Sequence, residues 1–225
     1  MKLIEALKKR IESYWLELQQ HDRFNRSVLQ GDADSEMLMH FLVNVRYLVQ
    51  HTPIHLKRAM KLAEQDHKQD LKNFFEQKLK EEDGHDQWAD ADIEKLKQSL
   101  PKTPLKGSID PSMKRLIAHI EETIDRDPYL YLAYIFFAEY LCVICGEELT
   151  HGLQNKCGYP PRSLTVIENH AELDQDHVHE WEETIASLID EQFYSKQFLA
   201  TLEKTIAIHR EFYRSCGERQ YDAAS

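Results

Sequence analysis

Residues 129–145, YLYLAYIFFAEYLCVIC, are the most apolar stretch of the chain, and one carboxylate, Glu139, interrupts them. A segment apolar on every side belongs inside a bundle or a bilayer. The run that ends at Glu139 is far too short for a bilayer, which takes about 20 apolar residues. The stretch therefore reads as the core helix of a bundle. An ionised carboxylate in that setting is costly unless a cation or hydrogen-bond donors compensate it.

The rest of the chain is consistent with such a bundle. There are only 7 glycines, and strand-like alternation is nearly absent. A first helix is expected from about Lys2 to the low twenties, with Leu3, Leu7, Ile11, Trp15 and Leu18 as its apolar stripe. Asp34 or Ser35 can cap the second. His51-Thr52-Pro53 reads as a boundary, with Thr52 as N-cap and Pro53 at the first helical position. A charged helical region follows from about Asp70 to Gln98. The segment SLPKTPLKGSIDPS (99–112) is the one substantial loop. Asp110-Pro111 and Asp127-Pro128 each start a helix. The core helix ends near Gly152, Gly158–Pro161 is a turn, and Ser163 can cap the next helix. A last helix covers roughly Ser195 to Cys216. The fold class is all-α, a single domain of seven or eight helices over residues 1–225.

Bulk properties narrow the partners. A chain of 225 residues buries roughly 70% of its unfolded surface. A net charge of −11 argues against nucleic acid or an anionic membrane as the main partner. The N-terminal MKLIEALKKRIESYW has no apolar signal region, and 4 cysteines fit a reducing compartment. A cytoplasmic location is expected. Cys142 and Cys145 form a C-x-x-C on an apolar helix and read as small core residues.

The chemistry concentrates in a few polar residues. His170, Asp174 and His177 form H-x₃-D-x₂-H, which on a helix sits at about 0°, 40° and −20° and aims three ligand side chains one way. A short connection makes this helix an antiparallel neighbour of the Glu139 helix, which brings Glu139 and the triad to similar heights. Glu82-x-x-His85 adds a carboxylate and an imidazole, with Glu81 as substitute for Glu82. The pair shares a face only if the helix continues through Asp83-Gly84; a turn there would separate them. E-x-x-H motifs and single glutamates are how helical bundles hold two iron or manganese ions. Oxygen and imidazole ligands with open positions suit oxygen activation.

With these residues in view, the chain resembles the heme-oxygenase-like di-iron oxidases, a superfamily that includes heme oxygenases, thiaminase II-like proteins and the PQQ-synthesis oxidase. FLVNVRYLVQHTPIHLKRA (41–59) and EEDGHDQWADADI (81–93) look like its early helices; AEYL (138–141) and HAELDQDH (170–177) look like its later ligand helices. The resemblance implies a seven-helix bundle and two ferrous ions per chain, with manganese as an alternative. It also implies O₂-dependent oxidation of a small molecule, with an external reductant where the substrate does not supply the electrons. The ligands carried over are Glu82, His85, Glu139, His170, Asp174 and His177. Some members use another glutamate about one helix earlier, where this chain has His51 and no carboxylate. Phe136, Phe137, Tyr140 and Tyr134 are expected to wall an apolar substrate cavity. A homodimer is compatible with this reading.

Three other readings carry weight. A metal-free, thiaminase II-like hydrolase would use Cys142 or Cys145 with Glu139, but leaves the H-x₃-D-x₂-H set without a role. A heme oxygenase would need His21 as axial ligand and a glycine-rich distal helix; no such helix is present, so no heme is expected. A non-catalytic helical binding protein would use the charged face from Lys57 to Lys97 as its partner surface.

Overall fold

The computed structural model describes residues 2–99 and 108–218; on one late helix the side chains of residues 174–182 and 186 lie outside the described set, as does the side chain at 99. Most of the proline-rich loop therefore falls outside it. Nine α-helices and no strand occur among the described residues: α1 (Lys2–His21), α2 (Arg23–Gln30), α3 (Ser35–Gln65), α4 (Gln69–Glu81), α5 (Asp86–Ser99), α6 (Pro111–Arg126), α7 (Pro128–His151), α8 (Thr165–Leu188) and α9 (Glu191–Glu218). A single π-helical turn, Gly152–Lys156, extends α7.

Three aspartates start helices as capping chemistry predicts. Asp34 accepts from the amides of Glu36 and Met37, Asp110 from Ser112, and Asp127 from Tyr129. In the last two, a proline occupies the first turn, where its missing N–H costs nothing.

The expected boundary at His51-Thr52-Pro53 is not a boundary. Helix α3 runs unbroken through Pro53. Proline there removes one internal hydrogen bond. The apolar face is nevertheless buried on both sides of it, through Phe41 and Leu42 before and Leu56 and Ala59 after. Burial of that continuous stripe outweighs the local defect.

Helix α7 lies at the centre, packed against α1, α3, α6, α8 and α9. Leu130, Tyr131, Leu132, Ala133, Phe136 and Phe137 are all within 3% of full burial. By length and composition Pro128–Lys156 is long and apolar enough to cross a membrane, which corrects the expectation that the run is too short. In the fold, 67% of its most apolar window is buried by neighbouring helices. Gly146 lets α8 approach: a Cβ at that position would lie 2.5 Å from the Ala171 Cβ. That contact brings the polar residues of α8 against α7.

Candidate metal centre

The α4–α5 junction supplies the first two ligating groups. Helix α4 ends at Glu81, the Glu82 amide donates to the Lys78 carbonyl, and Gly84 adopts a left-handed φ of 83° that glycine tolerates best. Asp83-Gly84 is therefore a turn, the case in which Glu82 and His85 were expected to part. They do not. The turn is tight enough to fold the pair together, with His85 Nδ1 3.2 Å from Glu82 Oε2. Trp88 stacks on the His85 ring at a centroid distance of 4.0 Å and meets the His170 ring edge-on at 5.5 Å.

His170 of α8 completes the cluster. Its Nε2 lies 3.2 Å from His85 Nδ1 and 4.0 Å from Glu82 Oε2, and one ligand atom from each of Glu82, His85 and His170 falls within 4.8 Å of the others. His170 Nδ1 is 2.5 Å from the Val166 carbonyl. A carbonyl only accepts, so Nδ1 carries a proton, and Nε2 is the ring atom turned toward Glu82 and His85. This is the arrangement that prepares an imidazole for a metal.

Asp92 fixes the height of α8. The first turn of α8 has no side-chain cap of its own; Ser163, expected to cap it, instead donates to the Pro160 carbonyl. Asp92, fully buried on α5, accepts from Thr165 Oγ1 at 2.6 Å and from the Val166 amide at 2.9 Å. Burial raises the Asp92 carboxyl despite these donors. The residue that orients His170 is thus itself tied to α5, the helix that follows His85.

Glu139 is 5% exposed and lies 3.1 Å from the Lys78 ammonium, which also sits 2.9 Å from Glu81 Oε2. Burial alone would lower the Lys78 pKa, but the charges of Glu139 and Glu81 outweigh it and raise it. A lysine is thus one compensating cation for the buried carboxylate. For Glu82, burial would raise the pKa, but His170 and His85 outweigh it and hold the carboxyl well below the usual carboxylate range.

Glu82, Glu139 and His170 border one cavity of about 140 Å³, whose other walls are largely apolar. Tyr134 and Phe137 line it, and so do Tyr131, Cys142 and Cys145. Phe136 and Tyr140 do not. They stack on each other at 5.6 Å, and the Tyr140 hydroxyl donates to Glu12 on α1. At 100° per residue their side of α7 is turned toward α1. His51 also stays apart, its Nδ1 held at 2.7 Å from the Tyr47 carbonyl. Asp174 and His177 lie on α8, but their side chains are outside the described set. His21, at the end of α1, is exposed. Burial pushes the Cys145 thiol up to about 12, so it is no thiolate nucleophile at neutral pH.

Lys78 and Asp92 were not anticipated from the sequence, although each left a trace. Leu71, Phe75 and Lys78 are spaced i, i+4, i+7, which places Lys78 on the buried stripe of α4. Asp92 falls between Ala89 and Ile93 on the buried side of α5.

The donor set of one carboxylate and two imidazoles, with a second buried glutamate on the same cavity, fits a divalent transition metal with oxygen and nitrogen preference. The fold is that of the heme-oxygenase-like proteins. Two solved structures align over nearly the whole chain. One is a domain of unknown function with a heme oxygenase-like fold from Shewanella denitrificans: 17% identity, TM-score 0.82, 94% of this chain and 90% of that one. The other is a CADD-like protein of unknown function from Nostoc punctiforme: 13% identity, TM-score 0.67, 97% of this chain and 98% of that one. No protein-family model matches the chain, and comparison with curated proteins finds no significant relative.

Proposed function

We propose that the protein is a non-heme iron- or manganese-dependent oxidoreductase that uses O₂ to oxidise a small organic molecule. The observation that carries this reading is the meeting of Glu82, His85 and His170 beside an apolar cavity, with His170 Nδ1 bonded to the Val166 carbonyl and Nε2 turned toward the other two. Glu82, His85 and His170 would hold one ion; Glu139, Asp174 and His177 are the groups proposed to complete a two-metal centre. Bound there, a redox-active metal would supply O₂ activation, which oxygen and imidazole ligation with open positions favours.

The protein's own groups do the remaining work. Tyr131, Tyr134 and Phe137 wall the cavity, and burial keeps both phenols protonated. Trp88 holds the His85 ring by stacking, and the Val166 carbonyl fixes the proton on His170. Lys78 holds Glu139 in its ionised form until a metal takes over that role.

Purification without oxygen, loading with ferrous iron, metal analysis and a spectrum after O₂ exposure test the proposal. About two irons per chain and a spectral change on aeration are expected. His177→Ala should abolish the second equivalent, whereas Cys142→Ala should leave uptake intact. A protein that takes up no metal and loses its activity with Cys142→Ala would instead be a hydrolase.

A further inference from the structure

One wall of the cavity comes from a helix that contributes nothing to the metal centre. His209 stands on α9, which packs on α1, α2, α6 and α7, whereas α8 packs on α7 and α5. The His209 ring lines the cavity, is 8% exposed, and is enclosed by Tyr14, Phe137 and Tyr213. Its Nδ1 lies 2.8 Å from the Tyr14 hydroxyl.

That contact settles the tautomer. A phenol O–H is far more acidic than a neutral imidazole N–H, so the phenol donates and Nδ1 accepts. Burial raises the Tyr14 pKa and lowers that of His209 to about 3, which keeps the pair neutral. The remaining proton therefore sits on Nε2. Among the described residues the only hydrogen bond of the ring is the one at Nδ1, so Nε2–H is left able to donate to a ligand in the cavity that the ring lines.

We infer that His209 Nε2–H anchors a neutral acceptor oxygen of a ring-sized apolar substrate, holding that oxygen at α9 while the rest of the molecule lies toward Glu82 and His170. The inference rests on reading this cavity as the substrate chamber. The volume of about 140 Å³ compares with the roughly 150 Å³ of an apolar cavity that admits benzene. A carbonyl, ether or hydroxyl oxygen suits a neutral imidazole. A carboxylate does not, because the rings packed on His209, those of Phe137, Phe212 and Tyr213, carry no charge to offset its own.

Calorimetric titration with cyclohexanone, methylenecyclohexane and cyclohexanecarboxylate tests this, run anaerobically with and without ferrous iron. The ketone should bind about tenfold more tightly than the isosteric alkene, with or without iron. His209→Phe should bring that ratio to about one, and His209→Gln, which keeps a donor, should retain part of it. Equal binding of ketone and alkene by the wild type, a preference surviving in His209→Phe, or tightest binding of the carboxylate would overturn the inference. Should His209→Phe not fold, ¹⁵N resonances of the wild-type histidine give the same answer. The ketone must shift Nε2–H and the alkene must not; a bound ketone that leaves it unmoved overturns the assignment. Failure to take up iron with the ketone preference intact would remove the oxidoreductase reading and leave the His209 donor standing.

Discussion

The Lys78 ammonium lies 3.1 Å from Glu139 Oε1, joining the buried stripe of α4 to the most apolar helix of the bundle. Both side chains are within 8% of full burial. The carboxylate that stands out in residues 129–145 therefore has a cation beside it before any metal arrives. A ligand role for Glu139 requires this contact to be exchanged.

Lys78→Met removes that cation. Breaking a buried pair from one side costs about 3–5 kcal/mol, so the variant should lose stability of that order in urea. Added manganese should restore more stability to Lys78→Met than to the wild type, because the ion replaces the ammonium. Equal responses of the two proteins would show that the metal does not reach Glu139.

Metal removal should destabilise the wild type itself. At a free metal concentration about 100 times Kd, binding contributes about 2.7 kcal/mol. A chelator should lower the melting temperature accordingly. Glu82→Gln and His170→Ala should each weaken metal binding at least a hundredfold by calorimetry and make melting insensitive to the chelator.

Asp92 offers a test that touches no ligating atom. Asp92→Ala strands the buried Val166 amide, at about 1–3 kcal/mol, and leaves the Thr165 hydroxyl only the Trp88 carbonyl at 3.5 Å. The start of α8 then loses its tie to α5, and metal affinity should fall 10- to 100-fold, as for other groups that orient ligands. Asp92→Asn, which still offers one acceptor oxygen, should lose less on both measures.

Acid sensitivity follows from two histidines. Burial lowers both His55 and His209 from 6.5 to about 3. The unfolded chain therefore binds protons first. Their neutral, folded state is favoured in full above pH 6.5, and stability falls as pH drops from 6.5 toward 3. The slope is at most about 1.4 kcal/mol per pH unit for each histidine. Replacing His55 by Phe should flatten the stability profile in that window by up to half, as read from urea unfolding at successive pH values.

Gly146→Ala should be damaging although alanine favours helix by about 1 kcal/mol. The new methyl would meet Ala171 Cβ at 2.5 Å, so α8 must move off α7, at about 1–3 kcal/mol for overpacking. Adding Ala171→Gly should recover part of the loss, and the two changes should be non-additive in a double-mutant cycle.

Much of the bundle was legible in the chain itself. The capping aspartates 34, 110 and 127, the apolar residues of α1 and the all-round apolarity of α7 are local signals, written in residues a few positions apart. The pairing of Glu82 with His85 was legible as a spacing, but its cause was not. A helical face was expected, and a left-handed glycine turn does the work instead.

What the sequence determined by itself was the all-α class, several helix starts and the candidate ligating residues, because periodicity and capping act over one or two turns. What only the tertiary structure decided was which charges meet. Lys78 reaches Glu139, Asp92 seats the first turn of α8, Tyr140 turns toward Glu12 and away from the cavity, and Tyr14 meets His209. Each of these contacts joins helices far apart in the chain. Its partner is chosen by how whole helices pack, a property that no short window of sequence contains.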